Sequence, residues 1–191
     1  NAAVWLHQVT TTSDRIAEVT WKNFSLQKIN SQDGTNWEIL EQNDLARTRS
    51  LMAAVAGEAA RRQGSSAFDD FMRRLLSARH GSGTRISLSD ETEILAVVAE
   101  SILDTDTFRR DFRDPALIEI IAEDHNEAVE KYGVFGTPTF IFESGQTAYL
   151  KTFIPPKMEA IEAFDYFIKL MSDRSYIGEI KRPQPPWPKG I

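Results

Sequence analysis

Cysteine is absent from all 191 residues. No disulfide, no thiolate metal site and no thiol redox centre can therefore be built from these residues alone. Long apolar runs are missing too: none approaches the roughly 18 to 20 consecutive residues that a membrane-spanning helix needs. No charged segment followed by an apolar core opens the chain in the manner of a secretory leader. Nor is there an excess of basic charge, since 22 Lys and Arg against 28 Asp and Glu leave a net charge of −6. Nucleic-acid binding draws its affinity from cationic side chains facing phosphates, so neither a nucleic acid nor a membrane is expected as a partner. The Gly-x-Ser-x-Gly elbow, the Gly-x-Gly-x-x-Gly fingerprint and the phosphate loop are also missing, which removes the usual hydrolase and nucleotide signatures.

What is present is globular material, 41% hydrophobic and 26% charged, in a chain long enough to bury a sizeable core. The chain opens on Asn1-Ala2 and runs at once into Val4-Trp5-Leu6. That pattern predicts a short amphipathic helix over 2–9 and a natural start upstream of Asn1. Ile16, Val19, Trp21 and Phe24 then sit among polar residues, the pattern of a strand over 15–26.

Turn chemistry at Ser31-Gln32-Asp33-Gly34 is followed by a long block of helical spacing. Helices are predicted over 44–63 with a stop at Gly64, from Ser65 or Ser66 through Leu76, and from a cap at Ser89 through Val98. A short helix over 107–112 follows, and Asp114-Pro115 starts a long one through Val129. Strand patterning returns at 139–143 and 148–153 around Ser144-Gly145, which reads as a hairpin, and 158–171 reads as a closing amphipathic helix. The Pro-rich tail over 182–191 reads as irregular, with Trp187 as its anchor. A strand pair split by helices predicts an α/β fold: one domain from 1–37 and 131–175, a helical insertion over 38–130, and a tail over 176–191.

Gly133-Val134-Phe135-Gly136-Thr137-Pro138-Thr139-Phe140 lies where the long helix hands over to the hairpin. Proline cannot donate to a ladder, so Pro138 fits the position before a strand. This segment resembles the GVxGxPTF loop of the DsbA-like branch of the thioredoxin superfamily. Trp21-Lys22-Asn23-Phe24-Ser25-Leu26 is similar to that family's strand and PFSL-type turn. Ala78-Arg79-His80 ahead of a Gly-rich loop, and Asp124-His125-Asn126-Glu127-Ala128 ahead of Gly133, carry the resemblance over most of the chain.

The resemblance implies a thioredoxin-like fold with a large all-helical insertion, a cis peptide at Thr137-Pro138, and the activity of a dithiol-disulfide oxidoreductase or isomerase. Relatives include 2-hydroxychromene-2-carboxylate isomerase and the kappa glutathione transferases. In the oxidoreductases a first strand leads into Cys-x-x-Cys at a helix N-terminus, where the helix dipole stabilises the thiolate. Neither that strand nor that motif is present in these residues. Trp5-Leu6 overlays a Trp-Leu pair of the family, which places the missing motif just ahead of Asn1.

By this resemblance Gly136, Thr137 and Pro138 form a substrate-binding loop, with Phe24 and His80 as further candidate contacts. The partner implied is a thiol or disulfide substrate or an extended peptide, with no cofactor and with glutathione as candidate co-substrate. The alternative is a cysteine-free relative, either a glutathione-dependent isomerase or transferase or a ligand-binding module. His80 also fits a simpler role, complementing the dipole at a helix end. His7 and His125 read as solvated, and Trp37 as an exposed contact. Asp124, His125 and Glu127 do not share an i, i+4 face, so no metal is expected. The missing strand leaves a sheet edge open, which predicts a homodimer. A bacterial, cytoplasmic protein is the accompanying expectation.

Overall fold

The computed structural model describes residues 1–12, 19–30, 38–42, 45, 50–81, 83 and 85–181. Two compact units divide the chain, one made of Asn1–Thr20 with Gly136–Ile191, the other of Trp21–Phe135. The helical block anticipated over 38–130 lies within the second.

Small residues organise the Trp21–Phe135 unit. Helix α1 (Ala2–Thr12) belongs to the other unit, so this one begins with the short α2 (Leu26–Asn30) and continues with α3 (Leu51–Arg61), α4 (Ser65–His80), α5 (Glu91–Glu100), α6 (Thr105–Phe112) and α7 (Ala116–Tyr132). Ala53, Ala56, Gly57, Ala59 and Ala60 leave α3 with so little bulk that α4, α5, α6 and α7 all pack against it. The space between them is filled by Phe71, Leu75, Ile94, Phe108, Leu117 and Ile121, all fully buried or nearly so. Phe71 and Phe108 meet with ring centroids 5.7 Å apart, inside the range in which aromatic pairs attract beyond simple burial.

The starts of α5, α6 and α7 are fixed by carboxylates. Asp90, one residue beyond the Ser89 expected from sequence, caps α5 by accepting from the N–H groups of Thr92 and Glu93. Asp104 accepts from Thr107 N–H at the start of α6, and Asp114 from Ala116 N–H at the start of α7. A carboxylate both accepts the orphan amide and complements the positive end of the dipole, an advantage a serine hydroxyl lacks.

In the other unit, strands β1 (Thr139–Ile141) and β2 (Thr147–Tyr149) pair antiparallel, with Phe140 opposite Ala148. This is the one sheet among the described residues. Both strands are shorter than expected. Gly145, at φ +79°, donates to Phe142 C=O, and Phe142 donates to Gln146 C=O, so the turn takes in 142–146. The inner face of the hairpin packs on α8 (Ala160–Met171) through Phe140 and Phe167, centroids 4.9 Å apart. Helix α1 lies against α8, with Trp5 Nε1 donating to Ala160 C=O at 2.8 Å and its ring edge-on to Phe164.

One expected strand is not there. Residues 21–25 are irregular and Leu26–Asn30 is helical; 15–18 lie outside the described residues. The reason is visible in the hydrogen bonds: main-chain donors of Asn23 and Ser25 go to side chains of α7 instead of to a neighbouring strand. Of the helix expected over 44–63, residues 51–61 are helical, and 44 and 46–49 lie outside the described residues, as do Trp37, Gly34 and the tail with Trp187.

Candidate functional site

The loop that leads into β1 is built from α7 onward. Gly133 takes the left-handed conformation, φ +63°, that ends many helices, and its N–H donates to Val129 C=O. Val134 N–H reaches back to Ala128 C=O at 2.9 Å, so the helix terminus is closed by two crossed bonds. Beyond it Gly136 is buried, and a Cβ there would stand 3.1 Å from the Tyr149 ring. Glycine is thus what allows the aromatic ring of β2 to lie on the loop.

Around the Thr137–Pro138 peptide, which is cis, the neighbouring carbonyls are committed. Thr139 Oγ1 donates to Gly136 C=O at 2.8 Å, and Leu150 N–H donates to Pro138 C=O at 3.0 Å. Pro138 has no N–H to offer. Thr137 is exposed, and among the described residues its main-chain N–H and C=O have no partner. One residue held between two committed neighbours, with a free donor and a free acceptor, is what an extended ligand needs to form a pair of strand-like hydrogen bonds.

Phe24 and His80 belong to the other unit. His80 is the last residue of α4 and is exposed. Partial desolvation above all, with nearby positive charges including Arg79 and Arg85, holds its imidazole below its ordinary value.

Phe24 is half-buried and rests on His125, centroids 4.9 Å apart. His125 is not solvated as the sequence led us to expect: it is 2% exposed, and its Nδ1 accepts the N–H of Ser25 at 3.2 Å. Burial first, then the charge of Lys28, lowers its pKa, with Glu38 acting in the opposite sense.

Beside it Asp124, 8% exposed, accepts from Asn23 N–H and Asn23 Nδ2, both at 3.0 Å, and from Lys22 Nζ at 2.7 Å. The Asn23 amide also donates to Glu58 Oε1 at 2.8 Å. Glu58, 5% exposed, is held in turn by Arg61, which donates to Trp21 C=O and lies 3.9 Å over the Phe68 ring. Residues 21–25 are therefore fastened to α3 and α7 by buried side chains, and this anchor was not foreseen from sequence. Two signals pointed to it: Glu58 is a charge inside an alanine-rich stripe, and Asp124 and His125 continue the inward face of Leu117 and Ile121 at helical spacing.

No cluster of three or more His, Asp or Glu able to hold a metal occurs among the described residues, and no helix among them is long and apolar enough to cross a membrane. An open cleft of about 480 Å³, bounded by Met52, Val55, Phe112, Arg113 and Ile118, lies in the Trp21–Phe135 unit. Gln42, Glu91 and Asp114 also line it, and of these Asp114 is committed to Arg62 and the α7 N-terminus.

A model of the DSBA-like thioredoxin domain matches residues 4–157, well over half of the chain. Comparison with curated proteins finds no match.

Proposed function

The chain belongs to the DSBA-like thioredoxin-domain family, and from that premise we propose that it is the substrate-holding part of a thiol-disulfide oxidoreductase or isomerase whose catalytic cysteine lies ahead of Asn1. The observation that carries this reading is the exposed Thr137, its N–H and C=O unpartnered among the described residues while the carbonyls of Gly136 and Pro138 are taken. In the proposed reaction a thiolate attacks one sulfur of a substrate disulfide, a mixed disulfide forms, and the other substrate sulfur leaves as thiolate. The residues at hand would hold the extended backbone around that disulfide against Thr137.

The test is to read the coding sequence ahead of Asn1 and to incubate the full-length polypeptide with a disulfide-containing peptide. A cysteine encoded there, recovered in a mixed disulfide, is the expected result. A full-length polypeptide without cysteine would overturn the thiol chemistry.

A second reading, in which the loop binds a peptide or glutathione without forming a covalent bond to it, requires no cysteine, and none occurs in the 191 residues. Saturable binding of reduced glutathione to the cysteine-free chain would support it, and no binding at millimolar ligand would count against it.

A further inference from the structure

We infer that His125 is an acid-sensitive latch, whose protonation at Nδ1 releases residues 21–25, and Phe24 with them, from α7. The main-chain N–H of Ser25 is an obligatory donor, so the Nδ1 facing it must carry a lone pair and the ring must be neutral with its proton on Nε2. A proton added at Nδ1 turns the acceptor into a donor and sets two N–H groups against each other. At 2% exposure no solvent can take over either bond.

The charges around the ring do not rescue it. From α2, Lys28 opposes an added proton; Glu38, preceding Ile39, favours it, but its carboxylate is already ion-paired with Lys28. On α7, Asp124 is occupied by Lys22 and by both nitrogens of Asn23. From α3, Glu58 is occupied by Asn23 and Arg61. The attraction of an imidazolium to the Phe24 ring remains, but the 46° tilt and the lost Ser25 bond oppose it.

The sign follows from the direction of the shift. A histidine held below its ordinary value in the folded chain contributes fully above about pH 6.5, and that contribution is lost as pH falls through the lowered value. The latch does not depend on what the loop at Thr137 binds.

The test is nitrogen-15 NMR of the histidine rings of the whole chain between pH 8 and pH 4.5, together with hydrogen exchange at the Ser25 amide corrected for the intrinsic pH dependence. His125 is expected to be neutral with Nδ1 unprotonated at pH 7 and to titrate below about 6.5, with Ser25 protection falling at least about tenfold across the same titration while Phe71 remains protected. In His125→Asn, whose Oδ1 can accept in place of Nδ1 without titrating, Ser25 protection should stay constant across that range. Ser25 protection that is unchanged through the His125 titration would overturn the latch, and so would loss of Ser25 and Phe71 protection in step. These wild-type readings decide the matter even where the variant fails to fold.

Discussion

Asp124 takes hydrogen bonds from both the main-chain and the side-chain nitrogen of Asn23, each at 3.0 Å and across 101 residues of sequence. The same carboxylate pairs with Lys22, but the Lys22 side chain is 53% exposed. Exposed ion pairs contribute about 0–1 kcal/mol, whereas a buried amide left without its acceptor costs about 1–3 kcal/mol. The carboxylate therefore matters for Asn23 more than for Lys22. Asp124→Ala should lower stability by about 2–3 kcal/mol and Lys22→Met by under about 1 kcal/mol, read from urea denaturation. Asp124→Asn, which keeps one acceptor oxygen for the Asn23 main chain, should fall between them. Equal losses in Asp124→Ala and Lys22→Met would contradict this ordering.

Gly136 faces the Tyr149 ring so closely that a Cβ would stand 3.1 Å from it. Gly136→Ala should destabilise the chain by about 1–2 kcal/mol, because the ring or the loop must move. In the background of Tyr149→Ala the same change should cost much less. A double-mutant cycle with a coupling energy of at least about 0.5 kcal/mol is the expected outcome, and additivity would show that the ring yields freely.

Asp70 links α4 to the residues after α5. Its side chain is 15% exposed, and it accepts from Arg73, Arg74 and the N–H of Ile102. Burial pushes this carboxyl up, but the bonds from Arg74, Arg73 and Ile102 outweigh it and hold the pKa below its ordinary value. A depressed carboxylate contributes above its unfolded value, about 3.9, and loses that contribution as pH falls through the folded one. Stability of the wild-type chain should therefore decline below about pH 4, and the decline should be shallower in Asp70→Asn. Parallel acid limbs for the two proteins would refute this assignment.

Asp90 accepts from Thr92 N–H at 2.8 Å and from Glu93 N–H at 3.2 Å. Asp90→Ala should cost about 1 kcal/mol, and Asp90→Ser should recover most of it, since either side-chain oxygen can cap. Thermal unfolding of the three proteins side by side checks this.

The helical half was legible because its signals are local. Gly64, the Asp114-Pro115 start and the apolar spacing of Phe68, Phe71 and Leu75 each act within a turn or two of helix. The hairpin was legible from Ser144-Gly145, though the turn draws in Phe142 and Gln146 and shortens both strands. Residues 21–25 misled because their alternating aromatic and polar pattern suits a strand, while their partners are Glu58, Asp124 and His125, which lie 35 to 102 residues away along the chain.

No local rule could assign those partners. The burial of His125 was nonetheless written in its phase with Leu117 and Ile121, a stripe that a polar side chain continues only when it has a bond to make. In the loop, the sequence marked Gly136, Thr137 and Pro138. It could not show that Thr137 alone of the three keeps both main-chain groups without a partner among the described residues, because Thr139 and Leu150 make that difference in space.

The measurement that bears most directly on the central claim is titration of the nitrogen-15-labelled chain with reduced glutathione and, separately, with an extended cysteine-containing peptide. The claim predicts saturable shifts centred on the Thr137 amide, with smaller ones at Gly136 and Thr139, for at least one of the two ligands. Unshifted loop amides at millimolar concentrations of both ligands, or saturable shifts confined to other parts of the chain, would contradict it.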